Sequence, residues 1–261
     1  MSTTSDKPAV LEGLATVPAA TVIIFRDAPI GPPQLLMVQR AKEMRFAGGA
    51  AVFPGGKVDP ADRVLAAELM PHDDQEIAAA RIAAIRETLE ETGLVVAIRE
   101  AVTAEAAAQA RKLLLAQGTL ATVLETFGWT MDPDRLTLYT HWCPPWDGAF
   151  DTRFFIVNLG TGAVDIEIDA TENTRLFWAS AEEALELAER GEIKLIFPTV
   201  RNLERLAQHG KYADVLQDLA RHPVAMIIPR RTERDGEAWI EIEEGRGYPV
   251  LSQRAATARR G

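Results

Sequence analysis

The chain carries a single cysteine, Cys143, among its 261 residues. One cysteine excludes an intramolecular disulfide and a cysteine-built zinc site, and it fits a reducing compartment. Long apolar runs are also missing. The longest are short segments such as 21–25 and 226–228, far below the roughly 20 residues that a membrane span needs. Residues 1–8 are rich in Ser and Thr and hold no apolar stretch, so they do not read as a signal peptide. Together these absences lead us to expect a cytoplasmic protein with no membrane partner. Positive charge is in deficit: Lys and Arg number 28 against 38 Asp and Glu, a net charge of −10. That balance argues against a protein that coats nucleic acid or lies on a membrane surface. There is no G-x-S-x-G, no G-x4-G-K-[ST] and no H-E-x-x-H, so serine-hydrolase, P-loop and zinc-protease readings find no support.

What is present is a globular composition, with 47% hydrophobic and 25% charged residues. The length allows one elaborated domain or two small ones. The pattern predicts strands over 20–25, 35–38, 50–53 and 94–98. It predicts helices over 75–92, 101–117 and 120–127. Strands follow over 136–142, 153–159 and 175–178, then helices over 181–190 and 199–208. A hairpin of 224–229 and 238–242 is expected around Asp235-Gly236. The stretch 57–74 reads as a polar loop broken by Pro60 and Pro71. The expected class is mixed α/β.

The richest segment is Arg86-Glu87-Thr88-Leu89-Glu90-Glu91-Thr92-Gly93-Leu94. On a helix of 3.6 residues per turn, Glu90 and Glu91 fall about 60° and 40° to either side of Glu87, so all three carboxylates share one face. Like charges on neighbouring turns repel by a few tenths of a kcal/mol per pair. They also sit near the helix C-terminus, where the macrodipole disfavours anions. A hard divalent cation such as Mg²⁺ or Mn²⁺ would reverse that problem; a merely solvated acidic face is the alternative. Upstream stands Phe53-Pro54-Gly55-Gly56-Lys57-Val58-Asp59.

A Gly-rich loop followed by a helix bearing Arg-Glu-x-x-Glu-Glu-x-Gly resembles the Nudix hydrolase family, whose box reads G-x5-E-x7-R-E-U-x-E-E-x-G-U with U bulky and apolar. Gly56, Arg86, Glu87, Glu90, Glu91, Gly93 and Leu94 match it, Asp62 stands where the family has Glu, and Thr88 replaces a larger apolar residue. Arg86 follows Asp62 by 24 residues where the box has eight, an excess of 16 that falls between positions 62 and 75. A strict pattern search would miss a box split in this way. Members acting on coenzyme A carry L-L-T-x-R-[SA]-x3-R-x3-G-x3-F-P-G-G before the box. This chain reads Leu36-Met37-Val38-Gln39-Arg40-Ala41, then Arg45, Gly49 and Phe53-Pro54-Gly55-Gly56, with every spacing kept.

The resemblance implies a Nudix fold, an α/β/α sandwich around a mixed sheet. A single domain is expected over 18–250, with insertions near 60–75 and 100–128 and an extension over 195–250. Flexible ends are expected over 1–17 and 251–261. It implies Mg²⁺ or Mn²⁺ held by Glu87, Glu90 and Glu91, with Asp62 as a fourth ligand. Arg86 would tie the glycine loop to the helix, and Glu172 is a candidate for a distant catalytic base. Substrate phosphates would meet Arg40, Arg45, Gly55, Gly56 and Lys57. Positions 35–57 hold Arg40, Lys42, Arg45 and Lys57 against Glu43 alone, a local +3, and guanidinium groups bind phosphate oxygens bidentately. The implied reaction is hydrolysis of CoA or acyl-CoA to 3′,5′-ADP and 4′-phosphopantetheine. Another nucleotide substrate (ADP-ribose, NADH or a capped RNA) is the alternative, and a non-catalytic nucleotide-binding regulator is a further one. The helices over 101–127 would cap the site or form a homodimer interface. His72, Asp73 and Asp74 read as loop residues, Cys143 as packed, and Trp129, Trp142 and Trp146 as packing aromatics.

Overall fold

The computed structural model of the chain describes residues 8–41, 47–159 and 173–258. The elements run β1 (Val17–Arg26), β2 (Gln34–Arg40), β3 (Ala51–Val52), β4 (Gly55–Lys57), α1 (Pro60–Leu69), α2 (Gln75–Thr92), α3 (Ala104–Gln117) and α4 (Leu120–Phe127). They continue with β5 (Thr137–Trp142), β6 (Phe150–Asn158), β7 (Asn173–Ala179), α5 (Ala181–Glu189), α6 (Phe197–Leu206), α7 (Tyr212–Arg221), β8 (Met226–Ile227), β9 (Arg230–Arg234), β10 (Glu237–Glu241) and β11 (Ser252–Arg254).

Among the described residues the main sheet has the order β3-β2-β1-β6-β5-β8, with β4 paired to β1 and β7 to β2. It is mixed: β1 runs parallel to β6 and antiparallel to β2 and β4. Strand β1 is apolar on both faces because both are covered. Ala20, Val22 and Ile24 pack with α2 on one side, while Ile23 and Phe25 pack with Phe197, Leu203 and Leu206 of α6 on the other. This is the expected α/β/α sandwich.

Helix α2 lies close to the sheet because its inner face is built of alanines: Ala78, Ala79, Ala80, Ala83 and Ala84 are all buried. Its start is fixed by Asp74, whose carboxylate accepts the N–H groups of Glu76 and Ile77 at 3.0 and 3.1 Å. Gly93, at φ 73°, ends it in the left-handed conformation that glycine adopts freely.

Several expectations change. Residues 60–69 form α1 rather than a loop. Pro60 occupies the first helical position, where its missing N–H costs nothing, and so starts a helix rather than breaking one. Residues 212–221 form α7, which the sequence reading left out. Residues 94–98 are buried chain with one isolated bridge, Ile98 to Met131, and not a strand. The hairpin turn at Asp235-Gly236 is present, but its first strand is β9. Met226 and Ile227 instead pair in parallel with His141 and Trp142 at the margin of the main sheet. Residues 252–254, expected in a loose tail, pair with β10 in a separate three-stranded sheet.

Candidate active site

Strand β4 positions the site. Its three residues pair with Ala19, Ala20 and Thr21 of β1, which lays Gly55 and Gly56 under the last turns of α2. The backbone N–H of Gly55 donates to Glu91 Oε2 at 3.0 Å. A Cβ on Gly55 would stand 2.3 Å from the carbonyl oxygen of Ala20, and one on Gly56 would stand 2.3 Å from both Cδ and Oε1 of Glu87. Both contacts are closer than any side chain permits. Gly55 is therefore required by the neighbouring strand, whereas a side chain at Gly56 would have to displace the Glu87 carboxylate.

Arg86 organises the other side. It is 4% exposed and donates to Asp62 through Nε and Nη2 at 3.0 and 2.9 Å, to the Lys57 carbonyl through Nη2 at 2.8 Å and to Glu87 Oε1 through Nη1 at 2.7 Å. Glu90 Oε2 lies 3.6 Å from Nη1. One guanidinium thus joins α1, β4 and α2. Asp62, 2% exposed, is occupied on both oxygens by Arg86, and its Oδ2 also accepts the Asp59 N–H at 2.8 Å. Arg86 links the Lys57 carbonyl of β4 to α2, and Asp62 is engaged in the buckle between α1 and α2.

The three carboxylates of α2 differ sharply in setting. Glu91 is buried, with Arg40 Nη1 at 3.9 Å from its Oε1. Glu90 keeps 36% of its side chain exposed. Glu87 is pushed up to about 7: burial is the main cause, Arg86 opposes it, and Glu90 and Asp62 add repulsion. Among the described residues no three His, Cys, Asp or Glu side chains close on a common point as a ready-made metal site, since Glu87 is turned to Arg86 and Glu91 to Gly55. The donor set nevertheless fits a hard divalent cation. Three carboxylates share one helix face, and burial drives one of them toward its neutral form, a cost that a bound cation would offset.

Arg40, at the end of β2, is oriented toward this cluster, and its Nε is buried without a hydrogen-bond acceptor. Lys57 contributes its carbonyl to Arg86, and its side chain is exposed. Arg45 and Glu172 lie outside the described residues. Thr88, at a position usually larger and apolar in the box, is fully buried and satisfies its hydroxyl on the Ala84 carbonyl at 2.7 Å. One partner escaped sequence reading. Arg111 of α3 donates from Nε to the Glu90 carbonyl at 2.8 Å, placing a cation at the C-terminal end of α2, where the helix dipole is negative. Nothing in the Ala-rich pattern of 104–117 marks Arg111 for that role.

No family model matches the chain. A Caenorhabditis elegans protein named as a nudix hydrolase is 26% identical over 202 residues, covering 74% of this chain and 64% of that protein. The chain thus spans a little under two thirds of the length of the curated relative it matches. The crystal structure of a NUDIX hydrolase from Alicyclobacillus acidocaldarius superimposes with a TM-score of 0.66 at 27% identity, over 78% of this chain and 97% of that one. In sequence and in fold the chain is thus similar to Nudix hydrolases.

Proposed function

We propose that the chain is a metal-dependent hydrolase that cleaves the diphosphate of a nucleoside diphosphate linked to a second group, with CoA or an acyl-CoA as the preferred substrate. The observation that carries the chemistry is the pairing of the glycine strand with the carboxylate helix. Gly56 leaves room for the Glu87 carboxylate, and Gly55 holds Glu91 by its N–H. Glu87, Glu90 and Glu91 would hold Mg²⁺ or Mn²⁺. When bound, the cation would offset charge on the diphosphate oxygens and lower the pKa of a water.

The chain's own residues supply the rest. Arg86 holds β4, α1 and α2 in register, so the carboxylates keep their relative positions. Arg40 has a buried, unpaired Nε and a guanidinium close to Glu91. It is suited to accept a substrate phosphate, because a planar fork of donors matches phosphate oxygens. Phosphoryl chemistry depends chiefly on such positioning and charge stabilisation. The preference for CoA rests on the spacing of Arg40, Arg45 and Gly49 ahead of Phe53-Pro54-Gly55-Gly56.

A substrate panel with Mg²⁺ and with Mn²⁺, products resolved by mass, tests both levels. Release of 3′,5′-ADP from CoA or its thioesters is expected. Turnover of ADP-ribose with CoA inert would overturn the substrate assignment, and no turnover of any diphosphate would overturn the activity.

A further inference from the structure

On the sheet face opposite α2, the residues after α6, helix α7 and the 244–247 turn border an open polar cavity of about 590 Å³ lined by Gln208, His209, Asp218, Arg221, His222 and Tyr248. Its floor is a buried ion pair: Arg205 donates from Nε to Asp218 Oδ2 at 2.9 Å, and both residues are about 95% or more buried. His222 Nδ1 meets Asp218 Oδ1 at 2.8 Å. His209 Nε2 stands 3.7 Å from Asp218 Oδ2, and it is buried without a hydrogen-bond partner. Gly247, at φ 80°, closes the wall, and a Cβ there would stand 2.8 Å from Arg205 Nε and 3.2 Å from His222 Nδ1. Tyr248 anchors the same turn from below by donating to Asn202 Oδ1 at 2.8 Å.

The Asp218 carboxylate is already answered by Arg205, and burial, which alone would raise it, is outweighed by Arg205 and His222, so it stays ionised. What remains is an excess of donors over acceptors. His209 has a nitrogen with no acceptor. His222 has one nitrogen on Asp218 and a second to offer. Arg221 stands at the rim with Glu244 as the exposed counter-charge. Donors on Arg205, Arg221, His209 and His222 thus face only Asp218 and Glu244 as carboxylate acceptors.

We propose that this cavity is a binding site for a small oxyanion, such as a phosphomonoester group, held by His209, His222 and Arg221 and separate from the carboxylate helix. No metal is invoked, and the site does not depend on what α2 does.

Titration calorimetry of the full chain with sulfate, with EDTA present, tests this. Saturable binding is expected, weakened about tenfold or more in His209→Gln and in His222→Gln, each of which loses a charge-assisted donor. Arg221→Gln, at the rim and away from the core, should weaken binding even if a histidine variant folds poorly. No sulfate binding, or affinity unchanged in Arg221→Gln and whichever histidine variants fold, would overturn the proposal.

Discussion

The Glu87 carboxylate occupies the space that a Cβ on Gly56 would fill, with Cδ and Oε1 both 2.3 Å from that position. The glycine and the glutamate are 31 positions apart, yet neither can be understood without the other. Gly56→Ala must displace either β4 or the carboxylate. Strand β4 is fixed to β1, and Gly55 is locked against Ala20, so the carboxylate gives way. A displacement of about 1 Å at a reacting centre costs on the order of 100-fold in rate. The variant should therefore keep its far-UV circular dichroism and lose turnover by about that factor.

Asp62 offers a sharper distinction. If its role is the buckle to Arg86, Asp62→Asn leaves a buried guanidinium short of charge compensation, and breaking a buried pair costs about 3–5 kcal/mol. The Lys57 carbonyl and Glu87 still hold Arg86, so the lower end of that range is expected in urea unfolding. Manganese affinity, measured on the folded variant by electron paramagnetic resonance, should stay within about twofold of the parent, whereas losing a coordinating carboxylate would weaken it far more.

Glu87 predicts a pH dependence whose sign is unusual for a carboxylate. Its folded value, about 7, lies above the ordinary 4.5. Between those two values the folded state binds more protons than the unfolded chain, so this group's contribution to stability falls as pH rises through the window. The metal-free protein should therefore gain on the order of 2 kcal/mol from this group as pH is lowered from about 8 to about 5. In Glu87→Gln the gain should disappear. Asp151 and Asp218 act oppositely. Each is held below its ordinary value, because its cationic neighbours outweigh burial. Their stabilisation is present at neutral pH and is lost only at lower pH, as each carboxyl is protonated. Denaturant midpoints across pH, with and without Mg²⁺, separate the two effects. Added Mg²⁺ should flatten the Glu87 component.

Much of this site was legible in the sequence for a physical reason. A helix carrying three carboxylates at i, i+3 and i+4, closed by Gly93, is local information, and α2 runs over the predicted span. The parts that were not legible depend on contacts distant in the chain. Helix α1 buries little, chiefly Asp62, Leu65 and Ala66, so its apolar period is faint, and Pro60, a helix breaker elsewhere, marks its start. The apolar run 94–98 is apolar because it is buried beneath α3 and α4, not because it pairs in a sheet. Arg111 lies in an alanine-rich helix that gives no hint of the Glu90 carbonyl it reaches. The second cavity draws its residues from the segment after α6, from α7 and from the 244–247 turn, so no local pattern marks His209 and His222 as neighbours.

Glu91→Gln separates fold from chemistry. The amide oxygen of Gln can still accept the Gly55 N–H, which Glu91 now takes at 3.0 Å. Stability should thus change by less than about 1 kcal/mol, the scale of one hydrogen bond. A ligand charge is lost, and metal-dependent hydrolysis should fall to background. Substantial activity in this variant would remove Glu91 from the proposed metal set.

Arg40 tests whether the strand ahead of the box binds substrate. Its Nε is buried without an acceptor and its Nη1 stands 3.9 Å from Glu91 Oε1, so two roles compete: balancing Glu91, or receiving a phosphate. Arg40→Lys preserves the charge near Glu91 but removes the planar fork that a phosphate needs. If Arg40 serves only to balance Glu91, the lysine variant should be close to the parent in every kinetic constant. If it receives a phosphate, KM for CoA should rise by about tenfold with a smaller change in kcat, the loss of roughly one charge-assisted hydrogen bond. Manganese affinity should stay unchanged in that case. The KM-to-kcat split on CoA, measured beside ADP-ribose, distinguishes the two roles and tells whether Arg40 reads a phosphate common to both substrates or the 3′-phosphate that only CoA carries.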